Sequence, residues 1–106
     1  MNAKWSIGRL STASPRRTDG VTSFLCLDGG LDAAYLTLDG GARTRPERHR
    51  KRACIAFVVE GRVEAVLDGR AQPLKMNDFV RIGPGVRHAF AAPEGPATLV
   101  VVHARI

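Results

Sequence analysis

Gly83-Pro84-Gly85-Val86-Arg87-His88 decides the reading of this chain, together with Glu47-Arg48-His49 about forty residues upstream. Gly83-Pro84-Gly85 sets one fixed φ between two permissive ones, which makes a tight bend. That bend delivers His88 to the start of a strand, where Phe90 shares its face and walls a pocket. Glu47 and His49 are two residues apart, so on a strand both side chains point to one side. Two imidazoles and a carboxylate at strand edges form a candidate set for one metal ion. If they do not converge, the chain is a small barrel with an empty or purely organic pocket.

Working outward, turn signals recur at short intervals: Asp28-Gly29-Gly30, Asp39-Gly40-Gly41, Glu60-Gly61-Arg62, Asp68-Gly69, Gly83-Pro84-Gly85 and Pro93-Glu94-Gly95-Pro96. Between them lie the apolar runs 21–27, 33–38, 54–59, 63–67, 79–82 and 98–102. Short strands at this spacing predict an all-β sandwich or barrel, and no segment keeps a helical period. Asp68-Gly69 reads as a hairpin turn. Residues 1–20 are expected to form an N-terminal arm and residues 21–106 the barrel. Trp5 and Ile7 could pin the arm to the body or to a second subunit.

The chain has 106 residues, the length of one domain with a modest core. Only 6% of residues are aromatic, so Val, Leu, Ile and Ala must fill that core. No apolar run approaches a membrane span, and the N-terminus lacks a signal-peptide pattern, so the expected location is cytoplasmic. Cys26 and Cys54 have no CxxC spacing and read as reduced thiols, Cys26 as part of the core.

The formal net charge is +6, concentrated in Arg43, Arg45, Arg48, Arg50, Lys51 and Arg52. This cluster reads as a solvated loop or as a rim that attracts a small anion. It holds no aromatic residue for base stacking, which argues against nucleic acid as a partner. Arg43 or Arg45 could hold a carboxylate by paired hydrogen bonds.

From Gly41 to His88 the chain resembles the cupins, in particular small single-domain, cupin-2-like members. The family's first motif reads Gly, five residues, His-x-His, three or four residues, Glu, six residues, Gly. Here Gly41, Glu47, His49, Cys54 and Gly61 stand at those spacings, with Glu47 in place of a His and Cys54 in place of the Glu. The second motif reads Gly-Asp, four residues, Pro-x-Gly, two residues, His. Here it becomes Asn77-Asp78, Gly83-Pro84-Gly85 and His88, the Pro displaced by one position.

The resemblance implies an all-β, single-domain cupin jelly-roll β-barrel with a short N-terminal arm. It also implies a metal site at Glu47, His49, Cys54 and His88. The donors suit a divalent transition metal, Fe, Zn, Cu or Ni, while the two replaced ligands are also what a barrel without metal would show. Cys54 is either a ligand or a small buried hydrophobe. Arg43, Arg45, Tyr35, Phe90 and His103 are candidates for the substrate pocket. His103 shares a face with Leu99 and Val101 and either lines the barrel mouth or lies at the surface. Tyr35 either offers its phenol to the pocket or packs its ring.

The function expected is binding of a metal and action on a small anionic organic substrate, of isomerase, cyclase, lyase or dioxygenase type. The alternative is a non-catalytic small-molecule-binding or sensor cupin with a degenerate metal site. A third reading is an assembly module with a vestigial site. An open sheet edge invites pairing, so a homodimer is expected.

Overall fold

The computed structural model describes residues 5–28 and 31–106. The turn expected at Asp28-Gly29-Gly30 and the first residues of the N-terminal arm lie outside the described residues. Among the described residues, nine strands build two antiparallel sheets: β1 (Arg16–Thr18), β2 (Val21–Asp28), β3 (Leu31–Leu38), β4 (Arg52–Glu60), β5 (Arg62–Leu67), β6 (Arg70–Lys75), β7 (Phe79–Ile82), β8 (His88–Ala91) and β9 (Ala97–Arg105). One sheet has the order β1-β2-β3-β9-β4-β7 and the other β6-β5-β8. This is the all-β architecture expected from the spacing of turns and apolar runs, in the jelly-roll form that the cupin resemblance implies. The described helical content is a single 3₁₀ turn at Leu10–Thr12.

The connection after β3 completes the smaller sheet. Residues 41–49 run beside β8, with Thr44 N donating to Phe90 O at 2.8 Å and Ala92 N to Ala42 O at 2.9 Å. Bridges at Arg43–Ala91 and Glu47–His88 mark this extra antiparallel rung. The apolar alternation along β4, β5 and β9 turns one side chain in two inward. Leu38, Val58, Val63 and Leu99 are the largest fully buried side chains of the core between the sheets.

Turn chemistry sets the corners. Asp68 (φ 47°) and Gly69 (φ 83°) both take positive φ, the geometry of a two-residue hairpin between β5 and β6. Gly61 (φ 78°) carries the chain from β4 into β5, where a Cβ would stand 2.5 Å from the Pro96 carbonyl oxygen. Asn77, at the second motif's Gly position, takes φ 76°, a conformation that Asn tolerates better than most residues.

Strands β1 and β6 lie beyond the sequence expectation. β6 is almost wholly exposed and contains Pro73, so it has no apolar run to reveal it, and Pro fits its edge position. β1 adds Arg16–Thr18 to the edge of β2. Cys26, expected in the core, is exposed. It shares a strand face with Phe24, opposite the inward-facing Ser23 and Leu25.

Candidate metal centre

Three elements bring four potential ligands together. Glu47 and His49 lie on the segment beside β8, His88 opens β8, and His103 lies near the end of β9 in the larger sheet. One ligand atom from each of Glu47, His49, His88 and His103 falls within 4.8 Å of the others. This His/carboxylate cluster could hold a metal ion.

Local structure explains the convergence. Glu47 and His88 exchange backbone hydrogen bonds, N to O at 2.8 Å in each direction, so their side chains rise from one face. His49 is two residues on and shares that face. Gly85 N donates to His49 O at 2.7 Å, which ties the Gly-Pro-Gly bend to the first motif. Gly85 has φ 83°, which favours glycine there. His103 faces the cluster across the sandwich, its ring centroid 4.9 Å from that of His49, while His49 and His88 are 5.4 Å apart.

The hydrogen bonds assign roles to ring nitrogens. His88 Nδ1 donates to Val86 O at 3.0 Å, which leaves Nε2 with its lone pair available. His49 Nε2 donates to Glu47 Oε2 at 3.0 Å. His103 Nε2 is buried and has no hydrogen-bond partner among the described residues. A buried, unpaired imidazole nitrogen is costly unless something occupies its lone pair or takes its proton. Burial lowers the His103 pKa, and His49, His88 and Arg52 add to the effect while Glu47 opposes it. That shift favours the neutral imidazole, the form a metal requires.

Cys54 does not join this ligand group. It pairs in register with Ile82 on one side and His103 on the other. His103, opposite it on β9, is among the four residues whose ligand atoms converge. Burial pushes the Cys54 thiol up to about 11, with the Glu47 charge contributing. Tyr35 turns away from the pocket. Its ring packs edge-on against Phe24, 6.3 Å between centroids, on the outer face of the larger sheet.

The remaining pocket candidates lie together. Arg43, Arg45, Phe90 and His103 line one cavity of about 510 Å³ with the cluster. Arg43, Arg45, Glu47 and His49 alternate along one segment, so the arginines continue the line of ligands toward solvent. Phe90 is buried beside His88, 6.2 Å between ring centroids.

Among the lining residues missed from sequence are Arg52 and Asp32. Arg52 Nη1 bonds Asp32 Oδ2 at 2.7 Å across the strand that carries His103. Arg52 was legible only as one charge in a basic run, and Asp32 had no motif to mark it.

The cupin domain family's sequence model matches residues 34–103, so the chain belongs to that family. No curated protein matches it. Among solved structures, it is similar to KdgF from Halomonas sp., with a TM-score of 0.85 and 20% identity over 97% of this chain and 96% of that one. It is similar to a cupin-superfamily sugar phosphate isomerase from Silicibacter pomeroyi, with a TM-score of 0.81 and 21% identity over 92% and 74% of the two chains. A predicted oxalate decarboxylase from Thermotoga maritima gives a TM-score of 0.84 and 16% identity over 95% and 100%. At these identities the likeness is one of fold.

Proposed function

We propose that this cupin binds one divalent transition metal through Glu47, His49, His88 and His103, and acts on a small anionic organic molecule. The observation that carries the reading is the convergence of four ligand atoms within 4.8 Å, one of them the buried, unpartnered Nε2 of His103. Three imidazoles and one carboxylate suit Fe, Zn, Cu or Ni. Bound there, the metal would supply Lewis-acid polarisation of a substrate oxygen. The chain's own residues do the rest. Val86 O fixes the His88 tautomer, Phe90 presents an apolar wall, and the arginines at the mouth draw in negative charge. The sugar phosphate isomerase and the predicted oxalate decarboxylase are named for anionic substrates, which agrees with that charge.

Reconstitution at neutral pH followed by elemental analysis tests the reading. About one equivalent of metal is expected, and less than about one tenth would overturn it.

A second reading, a binding or sensing barrel without turnover, is favoured by the 3.0 Å His49–Glu47 bond, which satisfies two ligands without a metal. A ligand that raises Tm with no product formed would support it.

The same proposal includes a homodimer. Phe24, Tyr35, Val100, Phe57 and Phe79 form one cross-strand row over five strands on the outer face. Phe57 and Phe79 are 40% and 55% exposed, a face suited to a second copy. Cytoplasmic residence fits the free thiols, Cys26 on the outer face and Cys54 inside. No helix among the described residues is long and apolar enough to cross a membrane.

A further inference from the structure

Arg52 and Asp32 form an ion pair with its acid buried and its base half-open. The Asp32 side chain is 12% exposed and that of Arg52 is 37% exposed. They come from β4 and β3, with β9 between them, so the guanidinium reaches across the strand that carries His103. Asp32 is the register partner of His103. Both residues line the cavity that holds the ligand cluster.

A guanidinium has five N–H donors, and among the described residues Arg52 spends one, through Nη1, on Asp32. Donors remain for a second anion, and the clamp has already removed much of the side chain's rotamer freedom. Arg43 and Arg45 differ: both are exposed and make no side-chain hydrogen bond or ion pair among the described residues. Among the described residues, the cavity lining holds four arginines against three carboxylates, before a metal adds its two positive charges.

We propose that Arg52, held by Asp32, is the specificity-determining residue of this pocket. It binds the carboxylate of a small hydroxy- or oxo-carboxylate whose neighbouring oxygen meets the metal. This rests on the metal reading above and narrows its substrate class. A bidentate fork suits a planar carboxylate, and the clamp fixes the fork's orientation.

The test is titration of Co(II)-loaded protein with glycolate, followed by visible absorption and calorimetry. Arg52→Gln is expected to weaken glycolate binding by about tenfold or more, with Co(II) affinity changed less than about twofold. Arg52→Lys should recover only part of the loss, because it keeps the charge and loses the fork. The double variant Arg52→Gln/Asp32→Asn leaves no buried carboxylate without its cation, so it guards against misfolding and should show the same loss. Wild-type glycolate affinity in both the single and double variants would overturn the proposal. So would inorganic phosphate binding more tightly than glycolate through Arg52. If the wild-type protein takes up no Co(II), the metal reading fails separately. NMR titration of the metal-free protein with glycolate then decides the role of Arg52: shifts lost in Arg52→Gln support it, and shifts unchanged in that variant overturn it.

Discussion

Glu47 and His88 face each other across a β-bridge and exchange backbone hydrogen bonds of 2.8 Å in both directions. The two cupin motifs are thereby joined through main chain. The bridge holds regardless of which side chains occupy it, so replacement of a His by Glu47 leaves the backbone geometry intact. What changes is the donor, from imidazole to carboxylate oxygen.

Ligand deletions should separate the four cluster residues from Cys54. His88→Ala and His103→Ala are each expected to lower metal affinity by at least about tenfold. Cys54→Ser should change it by less than about threefold. Competition with a chromophoric chelator checks this. A large loss in Cys54→Ser alone would assign the sulfur to the metal.

The two cysteines should differ in reactivity. At pH 8 Cys26 is exposed and should alkylate readily, whereas Cys54 is buried and its thiol is pushed up to about 11. Mass spectrometry after iodoacetamide treatment should find one carbamidomethyl group, on Cys26.

The same thiol predicts an alkaline loss of stability in metal-free protein. The folded pKa lies above the ordinary value of 9.0, so folding favours the protonated thiol. That contribution is complete below pH 9 and is lost as pH rises toward 11, by at most about 3 kcal/mol. Urea unfolding at pH 8 and pH 10.5 should show a steeper decline in wild type than in Cys54→Ser.

Gly61→Ala should be among the most damaging single-methyl additions. It combines positive φ with a Cβ 2.5 Å from Pro96 O and 3.0 Å from Ala97 Cα, both backbone atoms. A loss of about 2–4 kcal/mol is expected in urea unfolding. Gly69→Ala, with the same sign of φ but open space, should lose less.

The outer apolar row predicts that Phe57→Asp converts a dimer to a monomer without lowering metal uptake. Light scattering at micromolar concentration checks it. A wild-type monomer would contradict the assembly.

Much of the fold was legible because its turns and apolar runs are local signals. The six expected runs correspond to β2, β3, β4, β5, β7 and β9, and the Asp68-Gly69 hairpin followed from two residues. β6 escaped because an exposed edge strand needs no apolar face. At the site, motif spacing found Glu47, His49 and His88, which are neighbours across one bridge. It did not place His103 with them. That residue reaches the cluster from the opposite sheet, and only the packing of the two sheets brings it there. Cys54 occupies the motif position, but His103, its register partner on β9, is the one whose ligand atom falls within the cluster. Tyr35 and Cys26 depended on strand parity, which no motif fixed.

X-ray absorption at the zinc edge of protein reconstituted with Zn(II) tests the four-residue centre most directly. One zinc per chain is expected, with a shell of nitrogen and oxygen at about 2.0–2.2 Å, multiple scattering from imidazoles, and no sulfur. Failure to retain zinc, or a sulfur scatterer near about 2.3 Å, would contradict it.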